Sequence, residues 1–122
     1  MAPPIHPERD YFAFLAQGRF MLLRERSSGR HIFYPRVAEP GTGSTDLEWV
    51  EASGAGTVYS TSVMRERPPK PSYNVALIDL DEGPRMMSRV DGLAPEEVTI
   101  GMKVRAMIVA GDDHPVVVFV PE

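Results

Sequence analysis

The stretch YNVALIDLDEGPRMMSRVDG, residues 73–92, decides the fold. Its first half, Tyr73–Leu80, is rich in β-branched, aromatic and aliphatic residues and stops at Asp81-Glu82-Gly83, a turn by composition. A second run, Arg85–Val90, follows at once. Within it Arg85, Met87 and Arg89 share one face by period-two alternation, opposite Met86, Ser88 and Val90. The stretch therefore reads as two strands joined by a tight turn. Working outward, RPPKPS separates it from an earlier strand at Thr57–Met64, and DGLAPEEVTIG and GDDHP set off two later ones, Lys103–Ala110 and Val116–Val120. Most of these separators are too short for a helix. DGLAPEEVTIG has room for about one helical turn, Ala94–Val98, in keeping with ordinary helix geometry. The terminal VVVFV lacks alternation, which predicts a strand buried on both sides.

Five strands with the one helical turn after the third is the order of an OB-fold, a small Greek-key barrel. Other small five-stranded barrels share that count. Ahead of the strands, residues 7–17 predict a helix: Pro7 suits the first helical position, Glu8 and Asp10 suit the positive dipole end, and Gly18 suits the stop. Tyr11, Phe14 and Leu15 fall on one face, with Phe12 beside them. A helix this short must dock on something, either its own domain or a partner chain. RFMLLRERSSGRHIFYPR, residues 19–36, predicts two short strands, Phe20–Leu23 and His31–Tyr34, around a Ser-Ser-Gly turn, followed by the loop VAEPGTGST. The expected organisation is mainly β: an N-terminal helical segment over 1–18, a small segment over 19–47 and a five-stranded barrel over 48–122.

The chain has 122 residues, 43% hydrophobic and 25% charged, enough for one domain to fold without staples. It has no cysteine, which excludes disulfides, thiolate-held zinc, iron–sulfur clusters and a cysteine nucleophile. A formal net charge of −4 argues against a nucleic-acid footprint. MAPPIHPERD carries no basic leader and no apolar core, and no apolar run approaches the roughly 20 residues that cross a bilayer, so a cytoplasmic protein without membrane contact is expected.

His6, His31 and His114 are far apart, without ligand spacing. Asp79, Asp81 and Glu82 cluster at a strand end, where a turn explains them better than a paired-carboxylate site. No nucleophile elbow, P-loop or dinucleotide fingerprint is present. No catalytic residue is assigned. Positive charge is more informative: Arg85 and Arg89 share a face, as do Lys103 and Arg105. The ligand surface of such a barrel is usually built on its second and third strands, and guanidinium groups suit phosphate. A solvated outer face is the simpler reading. A phosphate-bearing ligand or an acidic partner is the other.

GSTDLEWVEASGAGTVYS, YNVALIDLDEGPRMMSRVDG, IGMKVR and the terminal VVVFVPE, taken together, resemble the acyl-CoA-associated family named domain of unknown function thirty-five. The resemblance runs from about Arg9 to Glu122. It implies an N-terminal helix, a rubredoxin-like zinc ribbon and a C-terminal OB-fold. It also implies a small non-catalytic subunit of a thiolase-type enzyme, hydroxymethylglutaryl-CoA synthase assemblies included, or of a sterol-carrier-like aldolase. On that footing Tyr11, Phe12, Phe14 and Leu15 are the expected partner contact, and Tyr73, Arg85 and Arg89 the expected contacts to CoA phosphates or adenine. The chain departs from the family at the ribbon. Glu25 and Ser28, then Glu39 and Thr42, stand where two C-x-x-C pairs would, a poor set for a soft metal. A degenerate ribbon without zinc, and no cofactor, is therefore expected. The rival reading, an OB-fold module for single-stranded nucleic acid, needs aromatics in a basic groove, and Tyr73 alone on an acidic chain is thin support. A free-standing hydrolase or thioesterase lacks a catalytic constellation.

Overall fold

The computed structural model describes residues 6–122. Among these residues one α-helix, α1, spans Pro7–Ala16 and ends where Gly18 takes a φ of +77°. The Gly18 amide donates to the Leu15 carbonyl and the Arg19 amide to that of Phe14, both at 2.9 Å, which satisfies two of the last helical carbonyls.

Strands β1 (Met21–Glu25), β2 (His31–Ile32) and β3 (Leu47–Glu51) form a small antiparallel sheet in the order β2-β1-β3. β3 is an addition to the sequence reading, and it straddles the expected boundary at 47/48. Its residues pair with β1 throughout, Leu23 opposite Trp49 and Glu25 opposite Leu47. It belongs to the small sheet rather than to the barrel because all five of its residues pair with β1, on the edge opposite β2.

The barrel strands are β4 (Ala55–Met64), β5 (Tyr73–Leu80), β6 (Arg85–Ser88), β7 (Lys103–Val109) and β8 (Val116–Pro121), in the order β6-β5-β4-β7-β8. A 3₁₀ turn at Pro95–Glu97 falls between β6 and β7. The sheet closes where Val90 bridges Phe119 in parallel: the Phe119 amide donates to the Arg89 carbonyl at 3.0 Å and the Asp91 amide to that of Phe119 at 2.7 Å. This is the expected OB-fold. β4 turns the corner through an irregularity between Val58 and Ser60 that leaves Tyr59 unpaired on the outside. Farther down the same strand Gly56 lets β5 approach closely, since a Cβ there would lie 2.7 Å from Ile78 Cγ2.

Val117, Val118 and Phe119 are buried in succession, as the unbroken apolar run predicts. Phe119, Ile78, Val104 and Val58 share one core with Tyr11, Leu15, Phe20 and Leu22. Helix, small sheet and barrel are thus held by one apolar cluster. A satellite of Leu23, Ile32 and Leu47 fills the far side of the small sheet, with Trp49 against both clusters. Among the described residues, no helix is long and apolar enough to cross a membrane.

Candidate functional site

The outer face of β4, β5 and β6 carries four large exposed apolar or aromatic side chains. Met87 is 69% exposed, Tyr59 48%, Tyr73 44% and Met64 42%. Their placement follows from register: Met64 lies opposite Tyr73, and Leu77 opposite Met87. Met86, Val90, Ala76 and Ile78 alternate inward as core.

Tyr73 and Arg89 come together on this face. With Val75, Met87, Val116 and Val118 they line a groove of about 360 Å³ between the β5–β6 pair and the start of β8. Asn74 holds that corner. Its side chain is buried, its amide nitrogen donates to the Val90 carbonyl at 2.9 Å, and its amide oxygen accepts from the Val90 N–H at 3.0 Å. Two bonds from one amide pin the start of β5 to the end of β6 and so fix the neighbours on either side. The sequence carried a signal for this: Asn74 is the polar residue in the inward register of an otherwise apolar strand.

Arg85 stands apart. It pairs with Asp79, six residues along β5 from Tyr73, which places it roughly 20 Å away at the rise of a strand. Its Nε donates to Asp79 Oδ1 at 2.6 Å, and its guanidinium carbon lies 3.4 Å from the centre of the Tyr59 ring. Hydrogen bonding to Asp79 raises its pKa further above the ordinary arginine value. Arg89 is also paired, its Nε donating to Asp91 Oδ1 at 2.9 Å. The face is therefore apolar with its two arginines locally neutralised, and not a basic groove.

On α1, Tyr11 and Leu15 are buried in the chain's own core. Tyr11 meets Phe12, Phe33 and Tyr34 edge-on, with ring centres 5.3–5.8 Å apart. Burial first, and then Tyr34, pushes its phenol pKa well above the usual range. Phe12 and Phe14 remain half-buried. Phe12 stacks on His114 with centres 3.8 Å apart, tying the helix to the β7–β8 turn, and Phe14 meets Trp49 edge-on at 5.2 Å.

The four positions that the resemblance assigns to zinc do not fit a zinc ion. Glu25 and Glu39 are both buried, but their carboxylate oxygens already accept hydrogen bonds from protein donors. Ser28 and Thr42 supply only neutral hydroxyls. Among the described residues no group of three His, Cys, Asp or Glu side chains is placed to hold a metal.

Compared with known proteins, residues 49–109 match the family model described as ChsH2, C-terminal OB-fold domain. The chain is 33% identical over 107 residues to a probable enoyl-CoA hydratase alpha subunit of Thermomonospora curvata, covering 84% of this chain but 33% of that relative. It is 30% identical over 110 residues to a DUF35 domain-containing scaffold protein of Pyrococcus furiosus, covering 85% of this chain and 79% of that one. The chain therefore spans about a third of the length of the first relative and most of the second. Among solved structures it superposes on a chain of the Ltp2–ChsH2(DUF35) aldolase with a TM-score of 0.82 and 31% identity, over 97% of this chain and 98% of that one.

Proposed function

This chain belongs to the DUF35 family, to which the ChsH2 C-terminal OB-fold domain also points, and on that premise we propose that it is a non-catalytic accessory subunit of an acyl-CoA-processing enzyme. The observation that carries this reading is the end-to-end likeness to a chain of the Ltp2–ChsH2(DUF35) aldolase, which leaves almost nothing of either chain unmatched. A relative described as a scaffold protein supports a bracing role over a chemical one. In this reading chemistry resides in a larger subunit, a thiolase-like chain or a sterol-carrier-like aldolase.

The contact to that subunit runs through Phe12 and Phe14, whose rings are half-exposed, while Tyr11 and Leu15 hold the helix in place from below. The groove flanked by Tyr73 and Arg89 is the proposed resting place for the CoA portion of the substrate. Tyr73 offers a ring face to adenine, and Arg89 exchanges Asp91 for a phosphate. Arg85 is a reserve cation at the far end, engaged with Asp79 until a ligand competes. A nucleic-acid ligand is disfavoured by the formal net charge of −4, because a phosphate backbone needs a basic footprint.

The test is co-expression with a thiolase-like chain or a sterol-carrier-like aldolase from the same genome. We expect the two to co-elute on size exclusion and the double variant Phe12→Ser/Phe14→Ser to remain folded while losing co-elution. A catalytic chain that stays monodisperse and fully active without this protein, with no complex at micromolar concentrations, overturns the proposal.

A further inference from the structure

We propose that a metal-free brace built on Arg30, Glu39, Ser44 and Glu25 stands in the small sheet where the family resemblance would place zinc, with the Arg30 guanidinium as the bridging cation. Two loops of the same backbone design make the case. In the first, the Gly29 amide donates to the Glu25 carbonyl and the Glu25 amide to the Arg30 carbonyl, both at 2.8 Å. In the second, the Gly43 amide donates to the Glu39 carbonyl at 2.9 Å and the Glu39 amide to the Ser44 carbonyl at 2.8 Å. The two glycines share a left-handed conformation, with φ of +76° at Gly29 and +72° at Gly43. Ser28 and Thr42 repeat each other as well: each hydroxyl oxygen accepts from the backbone amide two residues on, that of Arg30 at 3.2 Å and that of Ser44 at 3.3 Å. The knuckle frame is kept twice over.

The cross-links are reciprocal. The residue after each knuckle glycine reaches the glutamate of the other knuckle. Arg30 donates in a two-pronged fork to Glu39, Nε to Oε2 at 3.0 Å and a terminal nitrogen to Oε1 at 3.1 Å. Ser44 Oγ donates to Glu25 Oε2 at 2.9 Å. Each glutamate is also held within its own loop, Glu25 Oε1 by the Ser27 hydroxyl at 2.6 Å and the Ser28 amide at 2.8 Å, and Glu39 Oε1 by the Thr42 hydroxyl. Two buried carboxylates in one small sheet repel each other unless a cation sits between their loops, and Arg30 supplies that charge. A metal would have done the same work: neutralise converging acidic ligands and tie two turns together. Here the tie is made of side chains. The small sheet consequently folds without zinc and keeps the surface it offers to the rest of the molecule.

The experiment uses the full chain, expressed in zinc-supplemented medium. Expected are no stoichiometric zinc by elemental analysis and a melting temperature unmoved by zinc or chelator. Arg30→Ala is expected to lower the melting temperature by several degrees and to speed amide exchange at Gly29 and Gly43. Glu39→Gln should do the same, and the two together should cost less than their sum. Should Arg30→Ala not accumulate, the exchanged pair Arg30→Glu/Glu39→Arg decides the matter, recovered folding supporting the brace and failure to recover overturning it. A four-cysteine variant, Glu25→Cys/Ser28→Cys/Glu39→Cys/Thr42→Cys, should take up one zinc and become chelator-sensitive, because the frame already has ligand geometry. One zinc per native chain, or an Arg30→Ala protein with unchanged melting and exchange, overturns the proposal.

Discussion

Leu15→Ala measures whether the helix is part of the core or an arm laid on it. Leu15 is 2% exposed and lies in the same cluster as Val58, Ile78, Val104 and Phe119, so truncating it removes buried methyl groups from a shared interior. Leucine-to-alanine changes at such sites cost about 2–5 kcal/mol, depending on how far the cavity collapses. A helix of ten residues has little stability of its own to absorb the loss, which places the expected cost near the middle, about 3 kcal/mol. For a domain of this size each kcal/mol moves the melting temperature by about 4 °C, so a drop of about 12 °C is expected. The protein should still fold at room temperature, given stabilities of about 5–15 kcal/mol for domains of this kind. Urea unfolding followed by far-ultraviolet dichroism and by fluorescence of Trp49, the single tryptophan, reads the outcome. Trp49 touches Phe14 of the helix and both apolar clusters. Both signals should shift together with an unchanged slope. If the dichroism transition stays within about 1 kcal/mol of the parent while Trp49 fluorescence alone changes, the helix is peripheral and the shared core is refuted.

Glu25 makes stability pH-dependent: bonds from Ser27 first, then the Ser28 amide, hold its pKa at about 2 against an ordinary 4.5. The folded value is the lower one, so its contribution is complete above about 4.5 and lost as pH falls towards about 2. Melting temperature against pH should show that acid limb, and Glu25→Gln should flatten it. Gly56→Ala forces a Cβ to within 2.7 Å of Ile78 Cγ2 and 3.1 Å of the Asp79 carbonyl oxygen, between two strands that cannot part cheaply. A loss of about 1–3 kcal/mol in a urea titration is expected, and an unchanged midpoint would contradict the close approach. Asn74→Ala strands the Val90 N–H and carbonyl in a buried corner, at a cost of about 1–3 kcal/mol. Its mark is faster amide exchange at Val90; unaltered exchange would show that the corner is held by something else.

Much of the molecule was legible in the residues alone, because it is decided locally. Side-chain alternation over Tyr73–Leu80 and Arg85–Val90, turn residues at Asp81–Gly83 and an unbroken Val116–Val120 are properties of adjacent residues, and they mark out barrel strands and the faces of β6. The loss of the thiolates was equally plain, since cysteine is absent from the chain. What the tertiary structure decided are matters of which distant segments meet. β3 exists because Leu47–Glu51 finds β1, and no window around LEWVE contains its partner. The aromatic helix offered two docking targets, and only packing put Tyr11 and Leu15 inside while leaving Phe12 and Phe14 at the surface. Arg85 and Arg89 share a face in sequence, yet register hands one to Asp79 beside Tyr59 while a local pairing takes the other to Asp91, so a row of charge became two separate pairs. Arg30 follows the Ser-Ser-Gly turn in the sequence, and only the fold brings it against Glu39. A charge acquires its role from the group it faces, and facing is settled by chain pairing over distances that local periodicity does not encode.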